Sequence, residues 1–242
     1  MPLGFQLLPW DSSLFGFPVA RVSANTFDSE RLPNVLEALR SAGVRLAYAS
    51  TPWSDTVATK ALGMAGARCV DRSVRYRKEG LSRRPMPSGI ESVLGKPCTP
   101  HLERLALSSG ARSRFRADPG IPAEIFEKLY RAWIRRSMAG EIAGEVLVIR
   151  AGGAVSGMVT VAGSDSAPTG AIGLIAVDET HRGKGYGKQL VLGAEAWCAG
   201  RGLQALEVVT QARNAAACSL YDACGYGIVH DDAVFHLWLE TV

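Results

Sequence analysis

One stretch constrains the fold of this chain more than any other. Residues 170–177 read GAIGLIAV, an unbroken apolar run, followed closely by HRGKGYGKQL (181–190) and then by an apolar-periodic segment. So short and apolar a run is expected of a strand buried on both faces in mid-sheet. Leu190, Ala194, Trp197 and Cys198 recur at helical spacing, which predicts a helix from the glycine loop to about Gly200. A strand ALEVVTQ, a helix from Asn214 to Cys224 closed by Gly225, and a last strand AVFHLWL complete the series.

The same reading extends towards the N-terminus. EGLSRRPMPSG (79–89) lacks apolar periodicity and is rich in turn formers, so it reads as a linker that splits the chain near residue 85. Ahead of it, a helix over about 30–42 presents Val35, Leu36 and Leu39 on one face and ends at Gly43. VRLAYAS is a strand, TVATKALG a second helix and CVDRSVRY a second strand. Beyond the linker, helices are predicted near 100–109 and from Pro122 to Met138, the latter with Ile125, Leu129 and Trp133, and Phe126 and Tyr130 beside them, as its apolar stripe. SRFRADPGIP between them reads as irregular, and EVLVIRAGGAVSGMVTVAG as a hairpin turning at Gly152 and Gly153. Helices and strands alternate about a mixed sheet, an α/β or α+β class, with a smaller α/β domain over 1–85 and a larger one over 86–242. ALGMAGARCVDRSVRYR and YDACGYGIVHDDAVFHLWL both read as helix, glycine and two short strands, the mark of a degenerate duplication or of coincidence.

Composition narrows the function classes. The 242 residues are 47% hydrophobic and 21% charged, the balance of a folded soluble chain. MPLGFQLLPW has no basic segment ahead of an apolar core, and no stretch approaches the roughly 18 apolar residues of a membrane span, so a cytoplasmic location is expected. Five cysteines, with no CxxC or Cys/His cluster, point to reduced, mostly buried thiols and to no metal site. The net charge of +4 comes from scattered basic residues, which suits a small polyanion such as a nucleotide or coenzyme better than a nucleic acid.

Three phosphate-binding patterns compete for the glycine loop. A Walker loop needs GxxxxGK followed by Ser or Thr, but Lys188 is followed by Gln189 and the glycine spacing differs. A Rossmann fingerprint needs GxGxxG at the end of a strand; here the glycines run GxGxG after the intervening DETHR, although Glu207 stands near the usual acidic position. The third pattern is Arg-x-x-Gly-x-Gly at Arg182, Gly185 and Gly187. Glycines there let successive N–H groups converge at a helix N-terminus, a fitting nest for a diphosphate. A plain glycine-rich turn is the other account of the same residues.

IGLIAVDETHRGKGYGKQL and LEVVTQARNAAACSLYDACGY together resemble the coenzyme A half of the GNAT acyltransferase superfamily. LPWDSSLFGFPVAR, SRFRADPGIP, LYRAWIRRSMAGEIA, AIGLIAV, AWC and FHLWL are similar to the branch containing the TDP-fucosamine acetyltransferases of bacterial surface-glycan synthesis. The similarity runs from about Leu8 to Leu239. It implies a GNAT fold preceded by an abbreviated α/β half, acetyl-CoA as co-substrate, and direct acetyl transfer to the amine of a nucleotide-linked amino sugar, in a homodimer. The resemblance further implies that backbone groups of Ile175, Ala176 and Val177 bind the pantetheine arm and that a backbone N–H of this strand polarises the thioester. Arg182, Gly183, Lys184, Gly185, Tyr186, Gly187 and Lys188 would wrap the pyrophosphate, and Asn214 would bond the pantetheine.

Tyr221 is the expected general acid. It follows Asn214 by seven residues, two turns along the same helix face or roughly 10 Å. A phenol can donate to a departing thiolate. Ala217, Leu220, Tyr221 and Cys224 also make an ordinary apolar stripe. The base stays open: Val209 stands where a related branch carries a carboxylate, which leaves Glu207 or an ordered water. Trp10, Asp11 and Phe15 are acceptor-side candidates, as are Arg135 and Arg136 as a clamp for a nucleotide diphosphate. His181 beside the loop is read as solvated. Rival readings are an acetyltransferase for a protein N-terminus, a polyamine or another small amine, and a coenzyme A sensor without chemistry.

Overall fold

A computed structural model describes residues 4–28, 30–164 and 167–240. The chain begins β1 (Phe5–Leu7), α1 (Pro9–Phe15), β2 (Val19–Val22), α2 (Arg31–Ser41), β3 (Leu46–Pro52), α3 (Thr56–Met64) and β4 (Arg68–Glu79). It continues β5 (Ile90–Ser92), α4 (Pro100–Ser109), α5 (Arg114–Ala117), α6 (Ala123–Met138), β6 (Glu145–Ala151), β7 (Ala154–Ser164) and β8 (Ala167–Val177). Last come α7 (Tyr186–Gly200), β9 (Ala205–Gln211), α8 (Ala215–Ala223) and β10 (Gly227–Trp238). Two compact units result: Met1–Ser73 with Ser113–Phe126 and His230–Val242, and Val74–Arg112 with Glu127–Val229.

In the first unit the strands run β1-β2-β3-β10, with β2 and β3 parallel and the outer pairs antiparallel. Leu32, Val35 and Leu39 of α2 bury one helical face, and α3 buries Ala58 and Leu62 into the same core. Asp55 starts α3 by accepting the N–H of Ala58 at 2.9 Å. Pattern reading misses β1, α1 and β2, since strands of three and four residues offer too few positions for a period to show. SRFRADPGIP, expected to be irregular, forms the single turn α5 and packs in this unit. Its Asp118 accepts from His236 Nδ1 at 2.6 Å, Trp238 Nε1 at 2.9 Å and the Gly120 N–H at 2.9 Å. This packing draws residues 113–126 and the last strand into the first unit, whereas a cut at residue 85 assigns them to the second.

In the second unit the order is β4-β9-β8-β7-β6-β5; β5 to β8 form an antiparallel run and β8 pairs with β9 in parallel. Gly152 and Gly153 turn the β6–β7 hairpin with φ of 56° and 83°, positive at both positions as a tight two-residue turn requires. Leu190, Val191, Ala194 and Cys198 of α7 are fully buried in the core. β4 stops at Glu79 and residues 80–87 carry no regular structure, but they lie within the second unit, and the units divide at Ser73 and Val74 rather than near residue 85. The chain beyond Gly66 forms one 12-residue strand, β4, and that beyond Gly225 another, β10, rather than two short strands each.

Three expectations are corrected. The stripe of α6 is shifted rather than absent: Phe126, Leu129 and Tyr130 are buried as expected, together with Ile134 and Met138, while Ile125 and Trp133 are half-buried at its margins. β8 is not buried on both faces: Ala171 and Gly173 are exposed, and Gly173 borders an opening. Of the five cysteines only Cys198 and Cys224 are buried, while Cys98 and Cys218 are intermediate and Cys69 is exposed.

Candidate active site

The opening arises from how β8 meets its neighbours. Its parallel pairing with β9 runs from Thr169↔Ala205 to Ile172↔Val208 and goes no further, although β8 continues to Val177 and β9 to Gln211. On the other edge, Val161 faces Ile172 while Val159 faces Ile175, so three steps on β8 match two on β7. This is a β-bulge at Gly173 and Leu174, and bulges bend the strand that carries them. Thr160 Oγ1 accepts the Leu174 N–H at 2.8 Å, so the displaced amide is satisfied where a regular ladder would have used a carbonyl. A Cβ on residue 173 would come within 2.9 Å of that oxygen, which explains the glycine.

Past the bulge, β8 turns backbone groups to the gap that β9 no longer pairs with. Asp178 donates its N–H to the Ser156 carbonyl of β7. By strand alternation Ala176 also faces β7, whereas Ile175 and Val177 turn their N–H and C=O groups to the side β9 has left. A cavity of about 440 Å³ opens there, with Val177, Arg182, Gly185, Asn214 and Tyr221 among its walls. A smaller one of about 120 Å³ lies between the parted strands, walled by Leu174, Ile175, Val209 and Tyr221.

The glycine loop closes one end of the large cavity. Asp178 caps the turn Glu179–His181, after which Gly183 and Gly185 adopt φ of 76° and 81°. Nothing lies within 4 Å of a Cβ built on either, so backbone conformation rather than space selects glycine at these two positions. The first bond of the α7 ladder is Gln189 N–H to the Gly185 carbonyl at 3.1 Å, and no side chain caps the helix. The N–H groups of Tyr186, Gly187 and Lys188 therefore stand ahead of the ladder, at the positive end of the helix dipole. Arg182 Nε donates to the Val177 carbonyl at 3.3 Å and Nη2 to Ser108 Oγ at 3.2 Å, which holds a cation over the cavity wall. His181 stacks on Tyr186 with ring centres 6.0 Å apart and accepts or donates at Nδ1 with Thr180 at 2.9 Å.

Asn214 and Tyr221 stand on the opposite wall. The Asn214 amide is oriented from both ends: Oδ1 accepts from Arg112 Nη1 at 3.2 Å and Nδ2 donates to Thr210 Oγ1 at 3.4 Å. Arg213 Nη2 donates to the Arg112 carbonyl at 2.9 Å, a second link between the end of α4 and the start of α8. Tyr221 is 1% exposed yet lines both cavities. Its ring lies 5.5 Å from that of Tyr76 and 5.9 Å from that of Tyr226, and its hydroxyl makes no hydrogen bond among the described residues. Burial first, then Cys218 and Cys224, pushes its phenol pKa above the ordinary value, so the group stays a neutral donor. Behind it, Lys78 Nζ donates to both oxygens of the buried Glu195 of α7 and to the Cys224 carbonyl that ends α8, at 2.9 to 3.0 Å. A buried pair so fully bonded ties α8, and with it Tyr221, to α7.

The structure thus brings Ile175, Ala176, Val177, Arg182, Gly183, Gly185, Tyr186, Gly187, Lys188, Asn214 and Tyr221 to one cavity. Lys184 stands in the same loop. Other sequence candidates fall elsewhere. Arg135 binds Glu103 at 2.6 Å and Arg136 binds Glu141 at 2.8 Å. Glu207 is held by Arg77 at 2.8 Å and Arg75 at 3.4 Å. Trp10, Asp11 and Phe15 belong to α1 of the first unit, where Asp11 Oδ1 accepts from the Tyr48 hydroxyl at 3.3 Å. Sequence reading missed Ser108, Ser109, Arg112, Thr160 and Gly173. Nothing in SSGARS or in a strand threonine marks a ligand wall; the bulge reveals Thr160 and Gly173, and the contacts of Ser108 and Arg112 with Arg182 and Asn214 reveal the end of α4. Among the described residues no helix is long and apolar enough to cross a membrane, and no three His, Cys, Asp or Glu side chains are grouped to hold a metal ion.

The sequence model of the acetyltransferase (GNAT) family matches residues 101–226, just over half of the 242 residues. Streptothricin acetyltransferase of Escherichia coli is 42% identical over 52 residues, 22% of this chain and 30% of that protein. The fold matches a GCN5-related N-acetyltransferase from Sphaerobacter thermophilus, with a TM-score of 0.62 at 17% identity over 97% of this chain and 76% of the other. It also matches a tandem GNAT protein from the clavulanic acid biosynthesis pathway, with a TM-score of 0.57 at 16% identity over 92% and 76% of the two chains.

Proposed function

The chain belongs to the GNAT acetyltransferase family; from that premise we propose that it is an acyl-CoA-dependent N-acetyltransferase that transfers acetyl from acetyl-CoA directly to the amine of a nucleotide-linked amino sugar. The observation that carries the coenzyme half is the open edge of β8 beside an uncapped helix start. The pantetheine arm fits as a third partner in the gap, bonded by the outward groups of Ile175 and Val177 and by Asn214. The pyrophosphate fits the N–H groups of residues 185–188, with Arg182 and Lys188 as counter-charges.

In the reaction the amine nitrogen forms a bond to the thioester carbonyl carbon and the C–S bond breaks. Tyr221 gives its proton to the departing sulfur and regains one from solvent. The surplus proton of the attacking nitrogen leaves through ordered water, because Glu207 is engaged by two arginines. An outward N–H of the parted strand lies where the carbonyl oxygen gathers charge.

The sugar-nucleotide assignment rests on the LPWDSSLFGF and SRFRADP resemblance, and on a basic chain acting on two polyanions. The local likeness to streptothricin acetyltransferase favours a second reading, a free small-molecule amine such as streptothricin. A thiol-release screen decides between them. Nucleotide 4-amino sugars are expected to exceed streptothricin, polyamines and peptide N-termini in kcat/KM by at least about 100-fold. A reversed order transfers the assignment to the small amine. Tight acetyl-CoA binding with no thiol release from any amine would leave a coenzyme sensor.

A further inference from the structure

A third cavity lies beside the bulge and takes no part in the account above. It measures about 170 Å³ and is walled by Trp133 and Ser137 of α6, Ile142, Thr160 and Ala162 of β7, and Gly173 and Leu174 of β8. Its lining is mostly apolar, since Thr160 spends its oxygen on the Leu174 N–H. The cavity between the parted strands shares Trp133, Gly173 and Leu174 with it, and the common wall at Gly173 carries no side chain. Ser137 is 3% exposed and lines this chamber.

The geometry points to this chamber as an acyl subsite that accepts thioesters longer than acetyl, with three or four carbons. The inference rests on the acyl-CoA reading of the cleft and adds which acyl groups that cleft admits. The thioester must lie at the bulge, where β8 and β9 part, and an acyl tail leaving that point meets either the sheet or the glycine gap at position 173. An apolar cavity of roughly 150 Å³ holds a benzene ring, so the two methylenes that distinguish butyryl from acetyl fit with room for a water on Ser137. Each buried methylene contributes about 0.8 kcal/mol, a factor of about four in affinity.

The test uses the whole protein and calorimetric Kd values for coenzyme A, acetyl-, propionyl- and butyryl-CoA, all without acceptor. A failed sugar assignment therefore leaves it intact. Tightening of up to about fourfold per added methylene is expected, so that butyryl-CoA binds several-fold more tightly than acetyl-CoA. Ser137→Leu, which fills the chamber from α6, and Ala162→Leu, which fills it from β7, should each reverse the butyryl-to-acetyl ratio by at least about tenfold. Two variants on separate elements guard against one that fails to fold. With an active acceptor in hand, the kcat/KM ratio should follow the same order. Weaker binding of propionyl- and butyryl-CoA than of acetyl-CoA by the unaltered protein overturns the proposal. So does a ratio that neither folded variant moves, and so does a rise in acceptor KM alone, which would assign the chamber to the amine substrate.

Discussion

Two regions of this chain run through the same elements in the same order. β2, a turn at Ala24–Thr26, α2, the parallel strand β3, α3 and the 12-residue β4 are matched by β8, a turn at Glu179–His181, α7, the parallel strand β9, α8 and the 12-residue β10. The difference lies in what satisfies the backbone at corresponding points. Ahead of α2, Asp28 Oδ1 accepts the N–H groups of Glu30 at 3.0 Å and Arg31 at 2.7 Å. Ahead of α7, a glycine in the left-handed region leaves the donors uncapped. Asp55 caps α3, whereas Asn214 at the start of α8 makes no such bond and turns its amide to Arg112 and Thr210. Seven residues on stand Leu62 and Tyr221, each 1% exposed, one an aliphatic plug and the other carrying a hydroxyl. Where the chain supplies its own carboxylate the helix start is satisfied from within; where it withholds one, the same helix start keeps free donors that suit an anion.

The sharpest way to break that contrast is to close the second loop. Gly185→Val forces a β-branched residue to φ near 81°, a conformation such residues rarely adopt. Acetyl-CoA affinity is expected to fall by more than about 100-fold, with a thermal midpoint close to that of the parent because the loop is exposed. Retained affinity by calorimetry would remove the pyrophosphate from this nest. The comparison between Gly183→Asp and Gly183→Asn isolates charge from shape. Asp copies the internal carboxylate of the first loop and should bind about tenfold more weakly than Asn at low salt.

The next largest effect separates the two equivalent helix positions. Tyr221→Phe makes the α8 position as inert as Leu62, and kcat should drop by about 100-fold while acetyl-CoA affinity stays within threefold. Because burial holds the phenol above its usual pKa near 10, the protonated donor persists into alkaline solution. Parent kcat should accordingly show no loss up to pH 10 that is absent from Tyr221→Phe. Equal turnover in the two proteins would make Tyr221 a core residue like Leu62.

How much of this was legible follows from the range of each interaction. The helices α4 and α7, the linker and the hairpin at Gly152 are written in local signals: Thr99 before Pro100, the Leu190–Ala194–Cys198 spacing, paired glycines with positive φ. Asn214 and Tyr221 are legible because one helix carries both. The bulge is not, since it depends on Thr160 reaching Leu174 across a strand pair, fourteen residues away. Residues 113–126 were misassigned for the same reason: Asp118 finds His236 at a separation of 118 positions, and no composition shift signals that bond. The apolar run at 170–177 misled in one respect, because Ala171 and Gly173 are exposed, and Gly173 borders an opening rather than filling a core.

The smallest effect concerns a buried ionisable pair of the first unit, His236 with Asp118. His236 and Asp118 have side chains 0% and 2% exposed. Burial lowers the His236 pKa against the opposing bond from Asp118. Burial alone would raise the Asp118 pKa, but the bonds from His236, Gly120 and Trp238 together carry it below the usual carboxylate value. His236 is therefore neutral at pH 7, with Nδ1–H donating and Nε2 buried without a partner among the described residues. Both groups have folded-state values below the unfolded ones, so their stabilisation is present above the unfolded values and is lost as pH falls. The histidine contribution fades below about pH 6.5 and the aspartate contribution below about pH 4. One titrating histidine limits the loss to about 1.4 kcal/mol per pH unit. Thermal midpoints of the parent should decline between pH 7 and pH 5, and His236→Asn, which keeps a donor to Asp118 but cannot titrate, should flatten that decline while leaving acetyl-CoA affinity at pH 7 unchanged. An equally steep decline in His236→Asn would mean that groups other than this imidazole carry the pH dependence.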